Sequence, residues 1–326
     1  MHESIKVCDQ SISSVGLGLW KIDRSETASV VEKAIEIGYR HLDSAADYGN
    51  ETEVGTGITK AISRGYCNRE QLWVTSKLWN TYHSKEHVRP ACERSLLDLG
   101  LDYLDLYMIH FPISLEFVSF QNRYPPGWDS ENGGTENSGM KISPVPLSET
   151  WSAMEELVDS GLVRSIGVCN YSTGLLHDLM AYSRIKPVML QIESHPYLTQ
   201  ENLIRQARDY NIAVTAFSPL GSLSYVSLDM ATDDDSILHQ PEVLETSKEL
   251  GRTPAQVVLK WGIQRGTAIV PKTVQLQRLK ENIDLFDFHL TDKQMESITS
   301  LNCDRRFNDP AVFCESAFGK FYPIYD

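Results

Sequence analysis

The sequence predicts an α/β fold of the (β/α)8 TIM-barrel type, a parallel sheet closed on itself and wrapped by helices. Three observations carry the prediction. Short apolar runs recur along the chain, each is followed by a longer segment with helical periodicity, and the alternation repeats eight times over roughly 270 residues. Parallel strands covered by helices read as unbroken apolar runs, as these do. An open doubly wound sheet shares the alternation, because counting strands does not establish closure.

The first strand is VGLGLW (15–20), and a helix follows from Glu26 with Val30, Ala34 and Ile37 on one face. RHLDSA (40–45) is the second strand, with a helix near 52–64. LWVTSKLW (72–79) is the third, and the spacing of Val88, Cys92, Leu96 and Leu99 gives its helix one apolar face. LDLYMIH (104–110) is the fourth. Its helix starts at Leu147, turns Trp151, Met154, Leu157 and Val158 inward, and stops at Gly161. VRSIGVCN (163–170) precedes a helix with Leu175, Leu176, Leu179 and Met180, and VMLQIESH (188–195) precedes one near 200–210. IAVTAFSPL (212–220) is the seventh strand, with a helical stretch from about Thr253 to Arg265. GTAIVPK (266–272) is the eighth, followed by a helix near 275–283.

Two segments break this rhythm: 112–146, which contains RYPPGWDSENGGTENSG, and 218–240. Connections this long in a compact domain are functional or disordered loops. The tail, 301–326, lacks periodicity but carries Phe307, Phe313, Phe318, Phe321 and Tyr322, so it is expected to pack on the body. The chain, 1–326, reads as one barrel domain, with long βα loops and strand C-terminal ends framing the active site.

Composition narrows the function. With 41% hydrophobic and 23% charged residues the chain is ordinary for a soluble globular protein. No run approaches the ~18–20 apolar residues that cross a bilayer. The start, MHESIKVCDQ, lacks a secretory pattern, so a cytoplasmic protein, a monomer or homodimer, is expected. A formal net charge of −14 disfavours nucleic acid and membrane partners. An anionic cofactor therefore needs a local basic pocket, for which Lys21, Lys272 and Arg278 are candidates. Cys8, Cys67, Cys92, Cys169, Cys303 and Cys314 form no CxxC pair and read as free thiols. The nine histidines form no HxH or HExxH cluster, so no metal site is expected. The glycosylation sequons at Asn50 and Asn170 read as chance matches. Gly16-Leu17-Gly18 is too short for a dinucleotide fingerprint.

Four polar residues fall on three successive βα junctions. Asp43 ends the second strand, Tyr48 lies in its loop, Lys77 sits in the third strand and His110 ends the fourth. Singly, such residues are ordinarily structural. Together, an acid, a phenol, an amine and an imidazole suit proton transfer to a developing alkoxide. Tyrosine, with a reference pKa near ~10, is a poor acid at neutral pH. A neighbouring ammonium lowers that value, and burial raises it. Lys77 would supply the cation, Asp43 would hold Lys77, and His110 would orient the carbonyl oxygen. General acid catalysis of this kind contributes ~10²–10⁴ in rate.

HLDSAADYGNE, VTSKLWN, LDLYMIHFP, SIGVCNY, QIESHPY and AIVPKTVQLQRLKEN, in order over essentially the whole chain, resemble the aldo-keto reductase superfamily. The resemblance implies a (β/α)8 barrel, hydride transfer from NADPH or NADH without a metal, and Asp43, Tyr48, Lys77 and His110 as the catalytic tetrad. It implies that Asn170 and Gln191 hold the nicotinamide carboxamide. Phe217 stands where the family usually stacks a Tyr on the nicotinamide, and Cys169 where it commonly has a Ser contact. Lys21 matches a cofactor-facing residue. Ser218, Leu220 and Ser222 match the loop over the pyrophosphate. Lys272, Thr273, Val274 and Arg278 resemble an adenosine-phosphate clamp, and Glu281 and Asn282 match adenine contacts. Two cations and a hydroxyl suit a 2′-phosphate, so NADPH is implied. Some relatives with this clamp also accept NADH. A solvated helix face is the other reading of Arg278 and Lys280.

RYPPGW (123–128) and RRFNDP (305–310) resemble the sugar-reducing branch, particularly xylose reductases. KENIDLFDF and the SIGVCNY-to-SHPY region also resemble aldose-6-phosphate reductases. Both reduce an open-chain aldose to its alditol. The resemblance makes Trp20, Trp79 and Phe111 pocket walls and Asn308 a contact for substrate hydroxyls. A helix or turn cap beside Asp309-Pro310 is the other role open to Asn308. A broad-specificity reductase of steroid or lipid-derived carbonyls is the alternative on the same scaffold.

Overall fold

The computed structural model describes residues 4–7, 10–128 and 140–325. Cys8, Asp326 and the 129–139 stretch of the long loop lie outside the described residues. The chain opens with an antiparallel hairpin, β1 (Ser4–Val7) and β2 (Gln10–Ser13), which the strand alternation did not anticipate. Val7 and Ile12 are its buried residues, and they pack with Trp73 and Val188 near the strand starts. The hairpin thus covers one end of the barrel.

Eight parallel strands follow: β3 (Leu17–Gly18), β4 (His41–Asp43), β5 (Trp73–Leu78), β6 (Leu104–Ile109), β7 (Val163–Cys169), β8 (Met189–Glu193), β9 (Ala213–Phe217) and β10 (Ala268–Ile269). Each pairs with the next in sequence. The ends also meet. Val15 bridges Ile269 in parallel, the Gly16 N–H donates to the Ile269 carbonyl at 2.8 Å, and the Gly18 N–H donates to the Pro271 carbonyl at 3.1 Å. The sheet is therefore a closed barrel, and the open doubly wound alternative falls. Gly18 permits this seam: a Cβ there would stand 2.5 Å from the Val270 carbonyl oxygen.

The helices are α1 (Arg24–Glu36), α2 (Glu51–Ser63), α3 (Lys85–Leu99), α4 (Leu147–Asp159), α5 (Thr173–Tyr182), α6 (Glu201–Asp209), α7 (Pro241–Leu250), α8 (Pro254–Gln264), α9 (Leu276–Ile283), α10 (Asp292–Thr299), α11 (Pro310–Phe313) and α12 (Glu315–Phe318). Helix α7 lies beyond the second long loop and was not anticipated. Its signals are Pro241 in the first turn and Gly251 in left-handed conformation behind the last. Helix α10 starts on a capping box, Thr291 with Gln294. No helix among the described residues is long and apolar enough to cross a membrane.

The tail packs back on the barrel. Phe307 is buried, Phe313 and Phe318 set their edges against Trp128, and Tyr322 lies on Phe318, while Phe321 stays 56% exposed. Both sequon asparagines are buried. Asn50 donates to the Leu19 and Ile22 carbonyls, which ties α2 to the first βα loop.

Candidate active site

Parallel pairing brings every strand's C-terminal end to one rim. A cavity of about 1010 Å³ opens there, lined among others by Trp20, Tyr48, His110, Phe111, Gln191 and Phe217.

Beneath it, the Lys77 ammonium donates to Asp43 Oδ2 at 2.9 Å, to the Ser44 carbonyl at 2.9 Å and to the Tyr48 hydroxyl at 3.1 Å. All three of its protons therefore have acceptors. Lys77 is fully buried. Burial opposes its charge, yet the Asp43 carboxylate beside it favours that charge, and its pKa lies above ordinary lysine. Asp43 accepts a second bond, from Gln191 Nε2 at 2.7 Å. Burial raises the Tyr48 pKa above its ordinary value, and the Lys77 charge only partly offsets this. The phenol is thus held neutral and faces the cavity.

His110 lies edge-on to Tyr48 at 6.0 Å between ring centroids, and is backed by Trp79 at 5.4 Å and Phe111 at 5.1 Å. Its Nδ1 is 3.1 Å from Asp47 Oδ1, ion-pair range without hydrogen-bond alignment. Asp47 also lines the cavity. It was missed in the sequence, where its place beside Tyr48 on one short loop is the only signal.

Asn170 ends β7 at φ 63°, Ser218 follows β9 at 47° and Lys21 follows β3 at 60°. Left-handed backbone is uncommon in residues other than glycine and clusters at functional sites. Asn170 Nδ2 donates to the His110 carbonyl at 2.8 Å. Ser218, Leu220, Lys272, Thr273, Arg278, Glu281 and Asn282 line the cavity further out. Lys272 and Arg278 make no ion pair within 4.0 Å among the described residues. The Lys21 pKa is lowered by burial and then by the Lys272 charge, so cations crowd together here in a chain of net charge −14. Lys280 is exposed outside the cavity lining, as on a solvated helix face.

Asn308 lines the cavity from the tail. Its Nδ2 donates to the Tyr225 hydroxyl at 3.2 Å, which in turn shares a 2.8 Å bond with Ser218 Oγ. Its Oδ1 is buried and unpartnered. The helix cap beside it is Asp309, not Asn308. Glu193 fixes this stretch, accepting the Phe307 N–H at 2.8 Å and the Asn308 N–H at 3.0 Å, with His195 at 3.0 Å on its other side.

Besides Lys77, which lies beneath the cavity, five residues expected at the site lie off its wall. Trp79 is fully buried behind His110 and Phe111, so it supports the wall rather than forming it. The Cys169 thiol points to Met108 Sδ at 3.8 Å inside the barrel. Ser222 is buried with its hydroxyl unpartnered. Val274 is exposed on the turn before α9. Lys21 turns to the second long loop, donating to the Ser224 carbonyl at 3.0 Å and Ser227 Oγ at 2.7 Å. Trp128 lines the cavity and was not anticipated.

Known proteins place the chain. It is 46% identical over 313 residues to a probable NAD(P)H-dependent D-xylose reductase of Arthroderma otae, covering 95% of this chain and 93% of that one. A probable NAD(P)H-dependent D-xylose reductase of Aspergillus fumigatus is 48% identical over 298 residues, 91% of this chain and 93% of that one. Among solved structures, the aldose reductase of Schistosoma japonicum superposes with a TM-score of 0.84 at 36% identity, covering 98% of both chains. An aldo-keto reductase of Bombyx mori in complex with NADP gives 0.84 at 34%, covering 99% of both. The model of the aldo/keto reductase family matches residues 13–303, and the chain belongs to that family.

Proposed function

We propose that this protein is an NADPH-dependent reductase of an open-chain aldose, a xylose-like sugar or sugar phosphate, yielding the alditol. The observation that carries the reading is the Lys77 ammonium, 2.9 Å from Asp43 and 3.1 Å from the Tyr48 hydroxyl, directly under the cavity.

When bound, the reduced nicotinamide supplies hydride to the carbonyl carbon. Negative charge then grows on the carbonyl oxygen, and Tyr48 gives it a proton. The fixed Lys77 charge stabilises the phenolate left behind, and Asp43 keeps that charge in place. Such preorganised charge needs no rearrangement during the reaction. His110 and the cavity-facing Tyr48 orient the oxygen between them.

The residues present fit an anionic dinucleotide. Lys272 and Arg278 make no ion pair within 4.0 Å among the described residues, and crowded cations gain by accepting phosphate. Thr273, Ser218, Leu220, Glu281 and Asn282 would complete the outer contacts. Asn170 and Gln191 would hold the carboxamide beside Phe217. Arg278 favours the 2′-phosphate of NADPH, and the site also admits NADH. Free thiols at Cys67, Cys92, Cys169, Cys303 and Cys314 suit the reducing cytosol.

A polyol is favoured over a steroid by a bare acceptor, Asn308 Oδ1. A sugar hydroxyl would satisfy it, whereas an apolar ketone would leave it buried and unpaired, at a cost of about 1–3 kcal/mol. The test is steady-state reduction of xylose, a hexose 6-phosphate and a steroid ketone in parallel, with NADPH and NADH. The highest kcat/KM is expected for an aldose with NADPH. A higher value for the steroid ketone would remove the sugar assignment.

A further inference from the structure

Asn170 stands between two cavities. One is the cavity above the tetrad; the other, of about 400 Å³, is lined by Asn170, Ser172, Gln200, Arg306 and Tyr325 among others. Tyr325 borders the second and not the first. Its hydroxyl donates to Asn170 Oδ1 at 2.7 Å. The tail therefore reaches Asn170 from behind and leaves the main cavity open.

The Tyr325 ring is itself held. The Arg306 guanidinium lies 3.7 Å from its centroid, and Arg306 is 3.9 Å from the buried carboxylate of Glu193. Burial raises the phenol's pKa well above its ordinary value, so it is a hydrogen-bond donor at neutral pH.

A primary amide has two donor hydrogens and two acceptor lone pairs. The His110 carbonyl takes one hydrogen of Asn170 at 2.8 Å, and Tyr325 takes one lone pair. A flipped amide would set Oδ1 against the His110 carbonyl, which can only accept. The orientation is thus fixed from both ends. One donor and one acceptor remain, the complement of a single carboxamide group. The third group expected there, the Cys169 thiol, is turned inward to Met108. More of the recognition then rests on how Asn170 is aimed.

We propose that Tyr325 is a positioning residue for the nicotinamide site: by bonding Asn170 Oδ1 it fixes the amide that receives the carboxamide. The inference rests on the reading of Asn170 as a carboxamide contact. It makes the last described residue of the tail part of cofactor recognition, far in sequence from every other residue of that site.

The experiment measures dissociation constants of NADP+ and of adenosine 2′,5′-bisphosphate, which lacks the nicotinamide half. Five proteins are compared: wild type, Tyr325→Phe, Asn170→Ala, the Tyr325→Phe/Asn170→Ala double variant and a chain ending at Ile324. Losing one hydrogen bond, Tyr325→Phe should weaken NADP+ roughly 3- to 10-fold and leave the bisphosphate unchanged. The truncated chain should behave alike, and the Tyr325→Phe change should add nothing on top of Asn170→Ala. If Asn170→Ala weakens NADP+ and neither tail variant does, the inference is wrong while the carboxamide reading stands. If Asn170→Ala binds NADP+ as tightly as wild type, the carboxamide reading falls and takes the inference with it. Equal weakening of NADP+ and the bisphosphate by Tyr325→Phe would mark a general structural role and also overturn it.

Discussion

The two sides of the cavity are built differently. The tetrad side stands on β4, β5 and β6, regular strands whose register sets Asp43 beside Thr75 and Lys77 beside Met108. The three bonds of the Lys77 ammonium there, to Asp43, Ser44 and Tyr48, span sequence separations of 29 to 34 residues. The opposite side is assembled from a loop and the tail. Glu193 reaches Asn308 across 115 residues, Asn308 reaches Tyr225 across 83, and Tyr325 reaches Asn170 across 155. There, acceptors such as Asn308 Oδ1 are left bare. Saturated groups on strands suit a reaction common to many substrates, and unsaturated groups on loops suit the choice among them.

If that division is right, damage to the tetrad side should strike turnover and damage to the other side should strike selection. The largest effect is expected from Tyr48→Phe. It removes the transferable proton and little else, so kcat should fall ~10²–10⁴-fold. NADPH affinity should stay near that of wild type, checked by fluorescence titration. Retained turnover would refute the proton-donor role.

The tetrad side also carries a buried acid outside the chemistry. Glu51, at the start of α2, accepts the Ser76 hydroxyl on β5 at 2.6 Å and the Ser95 hydroxyl on α3 at 2.9 Å. Burial, with smaller contributions from Asp98 and Asp47, pushes its pKa up to about 7 against an ordinary 4.5. The folded state thus binds this proton more tightly than the unfolded chain does. The resulting stability is full below the ordinary value and is lost as pH rises through the folded value, a swing on the order of 3 kcal/mol. Glu51→Gln keeps both hydroxyl contacts without the ionisation. Urea denaturation of the two proteins from pH 5 to 8 should show wild type losing stability relative to the variant; parallel curves would contradict this.

Arg278 tests the outer rim. It is exposed and has no anionic partner within the described chain. Arg278→Ala should leave the melting temperature unchanged. A charge-assisted contact to the 2′-phosphate predicts a loss of about 10- to 100-fold in NADPH affinity and little for NADH. Equal losses would remove the phosphate clamp.

The barrel was legible because strand and helix periodicities alternate and because apolar runs mark parallel strands. Closure was not, since it rests on single bonds between Gly16, Gly18 and the last strand. The tetrad was legible for the same reason it is rigid: Asp43, Lys77 and His110 sit in strands or at their ends and Tyr48 one short turn beyond, where position along the chain fixes position in space. Rotamers were not legible. Cys169 occupies an expected site position, yet its thiol turns to Met108, and Trp79 occupies a wall position one layer back. Tyr225, Glu193 and Tyr325 were missed because their partners are remote and no local pattern announces them.

The smallest effect separates the two sides most directly. Asn308→Ala deletes the bare Oδ1 and the bond to Tyr225 and touches none of the tetrad. The Glu193 bonds to the Phe307 and Asn308 backbone remain, so the tail should stay docked. One neutral hydrogen bond to a substrate hydroxyl predicts a rise of roughly 3- to 10-fold in KM for xylose with kcat nearly constant. An unsubstituted aldehyde of similar length has no hydroxyl to lose, so its KM should not move. Equal rises for both would mean that Asn308 holds the wall rather than the sugar. A fall in kcat for both would mean that the loop-and-tail side reaches the chemistry, and the division between the two sides would not hold.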